Sequence, residues 1–306
     1  MAAMATIIAG ATATGKSAVA QLLAERTGAA IVSADSMLVY RGMDVGTAKP
    51  TPEERSRVSY IGLDCVEPGE RFSVGDWLER VAEGVAALPP ETPLIVAGGT
   101  GLYIKALLEG LDSEPSDPSI REKYRALYEN GGIDALNAEI GRRGIAVPPG
   151  DAANPRRLMR ALERADSGGN VDGHSTPDIR HHDLQSRFAA AKRFCLDMDR
   201  DALAARIEAR ARAMFDTGIV EEALAIFGGG AASETASGAI GYAEALAYAR
   251  GELSREEAIE RVAARTRQLA KRQRTWFRHQ FEATPIPVGA GDTAETIAAR
   301  IAPFLV

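Results

Sequence analysis

The sequence predicts an α/β fold, a parallel sheet covered on both faces and interrupted by a helical insertion. Three observations carry that prediction. Short apolar runs without alternation recur between helical stretches, as expected of strands buried on both sides. Glycines follow two of these runs directly, which favours strands over buried helix segments. Midway, a Pro- and acid-rich break gives way to helices with no strand candidates.

Residues 5 to 9, Ala-Thr-Ile-Ile-Ala, form the first run and stop at Gly10. The opening MAAMATIIAG has no basic segment and its first charge is Lys16, so it reads as a strand and not as a signal peptide. An amphipathic helix follows over Ser17 to Thr27, with Val19, Leu22 and Leu23 at helical spacing. Ala29 to Ala34 is the second run, closed by Asp35, and Pro93 to Ala97 is the third, running straight into Gly98-Gly99-Thr100-Gly101. Asp112 to Pro118 is the break; Ser119 to about Arg164 then reads as helices, and the polar stretch from Asp166 to Asp183 as a loop. Arg193 to Met198 is a fourth strand candidate, and Asp201 to Phe281 is helical apart from Gly228-Gly229-Gly230. The expected division is a core over 1–116, a helical insertion over 117–190 and a second, mainly helical part of the core over 191–306. No internal repeat is visible.

Composition narrows the function classes. The 306 residues, 45% hydrophobic and 25% charged, suit a folded chain with a sizeable core. Cys65 and Cys195 are the only cysteines and make no CxxC spacing, which argues against a disulfide scaffold or a cysteine zinc site and fits a cytoplasmic protein. No apolar run reaches the ~18 residues of a membrane span. The net charge of −6 gives no bulk reason to expect nucleic acid, although a sum hides where charges lie.

Gly10-Ala-Thr-Ala-Thr-Gly15-Lys16-Ser17 matches GxxxxGK[ST] in full, between a strand and a helix. Backbone N–H groups at such a helix start form an anion nest that glycine lets phosphate oxygens approach closely. Lys16 neutralises phosphate there and Ser17 offers a hydroxyl to Mg²⁺. The fold class is therefore a P-loop NTPase-like parallel sheet. A nucleotide hydrolase or kinase usually adds a metal-binding Asp at the end of another strand. Here Pro93 to Ala97 ends in Gly98-Gly99-Thr100, and the acid follows the second strand instead, at Asp35. Ligands bind at the carboxyl ends of strands in open α/β sheets, so Asp35 faces whatever the loop holds. It can bind metal, accept a proton from a nucleophile or cap a helix. Tyr40, Arg41 and Lys49 close by favour a functional reading.

Four segments, GATATGKS, DSMLVYRGMDVGTAKP, GGTGLYIKALLEGL and TRQLAKRQRTWFR, occur in that order over nearly the whole chain. Together they resemble the bacterial tRNA dimethylallyltransferase family, also called tRNA isopentenyltransferase. The resemblance implies transfer of a dimethylallyl group from its diphosphate to N6 of the adenosine on the 3′ side of the anticodon, with Mg²⁺. The phosphate loop then holds a leaving group, bound by Gly10, Thr12, Ala13, Thr14, Gly15, Lys16 and Ser17, with Ser17 at the metal. Arg210 matches a family arginine that contacts the diphosphate. Asp35 matches the general base for the N6 proton, and Thr100 a threonine at the reacting centre.

The resemblance further implies tRNA contacts at Asp35, Ser36, Met37, Leu38 and Thr100, where the adenosine enters flipped out of its loop. It implies others at Arg121, at Arg156, Arg157, Leu158, Met159 and Arg160 in the insertion, and at Gly241, Tyr242, Arg267, Lys271 and Arg272. The stretch Arg261 to Arg278 carries seven basic residues and no acid; Trp276 and Phe277 at its end read as core. The chain departs from the family at Leu38, where many members carry Gln, at Asn154-Pro155 in place of Asn-Asp, and at Gly238, where Arg is usual. His181-His182 lacks companion ligands and reads as solvated loop. The expected partners are tRNA and dimethylallyl diphosphate, with no membrane, and the chain is expected to act as a monomer. The alternatives are a P-loop small-molecule kinase using ATP and a nucleic-acid-binding regulator that senses a nucleotide.

Overall fold

The computed structural model describes residues 5–110, 117–167, 182–229 and 232–305. The break at 112–116, most of the polar stretch 166–183, and His181 lie outside the described residues. A six-stranded parallel sheet forms the core, in the order β3-β2-β4-β1-β5-β6. Its strands are β1 (Ala5–Gly10), β2 (Ala30–Ser33), β3 (Tyr60–Ile61), β4 (Leu94–Gly98), β5 (Lys192–Met198) and β6 (Thr284–Val288).

Every residue of β1, β2 and β4 is buried, because helices cover both faces of the central strands. Helix α1 (Lys16–Thr27) packs on all three strands. The register sets Ala9 of β1 beside Gly98 of β4, and Ser33 of β2 beside Ala97 of β4. The loops leaving β1, β2 and β4 thus start side by side at one edge of the sheet. The predicted four strands are present, and β3 and β6 are additional. Pro285 and Pro287 hide β6 from a sequence reading; at the sheet edge they are tolerated, while Ile286 and Val288 alternate inward.

Helices α2 (Pro52–Arg57), α3 (Val74–Ala86) and α4 (Gly101–Glu109) complete the first half. The second half holds α7 (His182–Ala189), α8 (Arg200–Asp216), α9 (Ile219–Phe227), α10 (Glu234–Ser237), α11 (Tyr242–Ala249), α12 (Arg255–Gln280) and α13 (Ala294–Ile301). The chain forms two compact units, one from residues up to Glu109 and from Arg180 onward, the other from Gly110–Ile179. This corrects the expected insertion of 117–190. Helix α7 belongs to the core: Leu184 and Phe188, four residues apart, are buried, and the helix packs on α4 and β1.

The second unit holds α5 (Pro118–Arg143) and α6 (Pro155–Asp166). Its own core joins Tyr124, Leu136, Ile140, Leu158, Ala161 and Leu162. Asn154 caps α6 by accepting the N–H groups of Arg156 and Arg157 at 3.1 and 3.3 Å, and Pro155 suits the first helical position. Asp166 accepts from Lys123, Tyr124 and Arg143, which hold its carboxyl far below the usual carboxylate range.

Candidate active site

The loop between β1 and α1 is a turn of left-handed and right-handed residues. Ala13 and Gly15 both have positive φ, 65° and 95°, the kind of backbone from which anion nests are built, while the Thr12 N–H is taken by Gln273 and the Thr14 N–H by the Ala11 carbonyl at 3.4 Å. Ala13 is held there without glycine's freedom, a strain typical of ligand-binding loops. Lys16 is buried and donates to the carbonyl of Ala11 at 2.7 Å. Burial lowers its ammonium from 10.5 to about 8, with Asp35 opposing the shift and Arg210 adding to it. The Thr14 hydroxyl turns inward to the same carbonyl at 2.8 Å. Ser17, at the first turn of α1, is exposed.

Asp35 leaves the end of β2 and is half-buried. No helix starts behind it, so helix capping is not its role; its Oδ1 accepts the N–H of Met37 at 3.0 Å, closing a local turn. Thr100 leaves the end of β4, and its hydroxyl accepts the N–H of Ser36 at 3.1 Å. Gly98 makes this approach possible, since a Cβ there would lie 2.1 Å from the carbonyl oxygen of Ala34. Strand pairing of β2 with β4 therefore brings Asp35 and Thr100 together.

Arg210 reaches the loop from α8. Its Nη1 donates to the Thr12 hydroxyl at 3.3 Å and its Nη2 to the carbonyl of Thr47 at 3.1 Å. Burial pulls this guanidinium below its ordinary value, and Asp35 pushes back. A half-buried cation facing a phosphate loop is incompletely solvated and suited to a polyanion. Thr12, Asp35, Ser36, Met37, Thr100, Arg210 and Arg272 all line one cleft of about 370 Å³, roofed by α8 and α12.

Several expected contacts lie elsewhere. Leu38 is buried beside the cleft and not in its wall. Tyr242 is also buried, and its hydroxyl donates to Glu222 at 2.6 Å; Gly241 is buried with it. Leu158 sits in the core of the second unit, with Met159 packed against it. Tyr40 is buried, Arg41 pairs with Glu67 at 2.9 Å on the surface, and Lys49 is enclosed between Asp44 and Asp64, so none of the three lines the cleft. Leu38 and Leu158 sit in apolar surroundings and Tyr242 and Lys49 are paired inside the fold, whereas the Tyr40 hydroxyl is buried with no hydrogen-bond partner among the described residues.

The basic stretch on α12 divides by helical azimuth. Arg272 and Arg265 face the cleft, whereas Arg267, Lys271 and Arg278 are exposed away from it. Arg265 pairs with buried Glu244 at 2.6 Å, and Arg274 pairs with Asp197 at 3.0 Å. In the second unit Arg121 and Arg160 both pair with Glu163, whose side chain is buried, and Arg157 pairs with Asp151. Gln273 was not singled out by sequence, yet its Oε1 accepts the Thr12 N–H at 2.8 Å and its Nε2 donates to the Gly99 carbonyl at 2.9 Å. Nothing local marks it, since a glutamine on a basic helix looks solvated.

Residues 38–280 match the family model described as IPP transferase. The chain belongs to the IPP transferase family. A curated relative from Thermus thermophilus, named tRNA dimethylallyltransferase, is 42% identical over 276 residues, covering 90% of this chain and 89% of that protein. Another of the same name, from Streptococcus sanguinis, is 38% identical over 98% of this chain and 97% of its own. Among solved structures, the full-length tRNA isopentenylpyrophosphate transferase of Bacillus halodurans superposes with a TM-score of 0.69 at 31% identity, covering 99% of this chain and 96% of that one. A eukaryotic dimethylallyltransferase acting on tRNA shares the fold at a TM-score of 0.70 and 21% identity. Family membership disfavours the kinase and regulator alternatives. Among the described residues no helix is long and apolar enough to cross a membrane.

Proposed function

We propose that this chain transfers a dimethylallyl group from dimethylallyl diphosphate to tRNA, at N6 of the adenosine 3′ of the anticodon. The observation that carries the reading is convergence: Thr12 of the phosphate loop, Asp35, Thr100 and Arg210 meet at one cleft above neighbouring strands. The adenine amino nitrogen attacks C1 of the prenyl group, the C1–O bond breaks, and the diphosphate leaves with the bonding electrons. Its developing charge is met by the loop N–H groups, Lys16 and Arg210. The Asp35 carboxylate takes the N6 proton, a service worth ~10²–10⁴ in rate for a positioned base. It matters because the amino lone pair is delocalised into the ring. Thr100, bonded to the N–H of Ser36, keeps a hydroxyl beside Asp35 that can orient the amino group.

Mg²⁺ fits this site as a companion of the donor. Among the described residues no group of three His, Cys, Asp or Glu could cage a metal, but the exposed Ser17 hydroxyl at the phosphate loop suits an ion that keeps waters and diphosphate oxygens as its other ligands. When bound there it supplies positive charge to the leaving group. The tRNA meets the cleft wall at Asp35, Ser36 and Met37, and its phosphates meet Arg272 at the cleft and Arg267 and Lys271 beyond it. In the second unit the phosphate contacts are Arg121, Arg156, Arg157 and Arg160. The enzyme acts in the cytoplasm as a monomer.

The test is incubation with an unmodified anticodon stem-loop and dimethylallyl diphosphate, followed by mass spectrometry of the RNA. A gain of one C₅H₈ unit on the target adenosine is expected. No gain with the prenyl donor, but phosphorylation of a small acceptor with ATP, would overturn the reading.

A further inference from the structure

The loop that supplies Thr47 to Arg210 is held from behind by one carboxylate. Glu222, on α9, accepts the consecutive N–H groups of Asp44 and Val45 on Oε2, at 2.9 and 2.7 Å, and that of Gly46 on Oε1, at 3.0 Å. The Tyr242 hydroxyl adds a fourth bond at 2.6 Å. Bonds to a charged acceptor are about twice as strong as neutral ones, so this cluster, together with the Lys49–Asp44 pair at 2.7 Å, sets the loop's position. Tyr242 packs flush on the loop: a Cβ on Gly46 would lie 2.5 Å from its ring. On the other side of the loop, Gly46 and Thr47 line the cleft, and the Thr47 carbonyl receives Arg210.

We propose that Glu222 is a positioning residue for the transfer reaction, holding Arg210 against the phosphate loop through the Asp44–Thr47 turn. The inference rests on the reading that Arg210 meets the donor diphosphate. Arg210 is flexible along its stem and has two anchors, the Thr12 hydroxyl and the Thr47 carbonyl. Only the second depends on Glu222. A carboxylate is required because three N–H groups converge on its two oxygens. In Glu222→Gln the amide nitrogen would face one or more of these donors, leaving them unpaired.

The experiment measures inorganic diphosphate binding by calorimetry, with steady-state kinetics, for E222Q, Y242F, R210A and the double variant E222Q/R210A of the full chain. E222Q is expected to weaken diphosphate binding by about tenfold and to raise the prenyl-donor KM in parallel, leaving the RNA KM within about twofold. Y242F keeps the carboxylate and gives a smaller loss in the same direction, which keeps the proposal testable if E222Q folds poorly. In the double variant E222Q adds nothing to R210A, since it acts through that arginine. Multiplying effects, or a drop in melting temperature with diphosphate affinity unchanged, would overturn the positioning role. If R210A weakens diphosphate binding and neither E222Q nor Y242F does, only the positioning role fails. If R210A itself binds diphosphate normally, the reading of Arg210 fails and the proposal with it.

Discussion

The side-chain oxygen of Gln273 accepts the backbone N–H of Thr12 at 2.8 Å, across 261 residues of sequence. The other end of the same carboxamide donates to Gly99. Helix α12 is thereby bonded to the loop after β1 and to the turn after β4, next to Thr100. Arg272, one residue earlier, faces the cleft. The helix that presents a cation to the cleft thus also holds the phosphate loop.

Gln273→Ala is expected to raise the donor KM about tenfold, since two hydrogen bonds of ~0.5–1.5 kcal/mol each are lost. Gln273→Glu can still accept from Thr12 but cannot donate to Gly99, and sets a carboxylate against a carbonyl, so its loss is at least as large. Initial rates with each substrate varied separately check this; an unchanged donor KM would mean the bridge is dispensable.

Asp35→Ala should lower turnover by ~10² or more while leaving donor affinity within a few-fold, as for a base acting in the transition state. Single-turnover rates measured with saturating donor decide it. Turnover near normal would remove Asp35 from proton transfer.

The lowered Lys16 value gives a pH prediction with two opposite signs. Between about 8 and 10.5 the unfolded chain holds a proton on Lys16 that the folded chain lacks, so raising pH through that window favours folding through this group. Diphosphate affinity moves the other way, because the cation is complete below about 8 and lost above it. Calorimetric titration with inorganic diphosphate from pH 7 to 9 should show progressive weakening. A profile that Lys16→Met reproduces unchanged would exclude Lys16 from the anion site.

RNA affinity should fall steeply between ~50 and ~200 mM salt, and Arg272→Ala should lessen the logarithmic salt slope by about one. Filter binding of a stem-loop across a salt series checks both. An unaltered slope would remove Arg272 from the phosphate-contacting set.

Leu158→Ala should destabilise the second unit by ~2–5 kcal/mol, the usual cost of a cavity at a fully buried leucine. With the unit still folded, the salt slope for RNA should stay as in the parent chain. Denaturant melts together with the same salt series separate packing from contact; a changed slope without a stability loss would restore Leu158 as an RNA-facing residue.

Much of the site was legible in the residues because its signals are local. The spacing Gly10 to Ser17, a strand ahead of it and a helix behind it depend on backbone conformations that few residues besides glycine adopt. Asp35 could be placed at a strand's carboxyl end for the same reason. That Leu38, Tyr242 and Leu158 point inward could not be read from the residues, because a position in a motif does not say which way a side chain points. Lys49 illustrates the same limit: a lysine near a phosphate loop looks like a ligand, yet Asp44 and Asp64 enclose it.

The parallel sheet, the phosphate loop and the acid that follows the second strand are readable from the residues alone, since periodicity and glycine spacing are written within a few positions. Tertiary structure decided which arginines face the cleft, because the azimuth of α12 is set by its packing on α8 and β1. It also decided the roles of Glu222 and Gln273. Each acts by hydrogen bonds to backbone groups more than a hundred residues away, and a backbone N–H or carbonyl leaves no mark on the side-chain sequence that would name its partner.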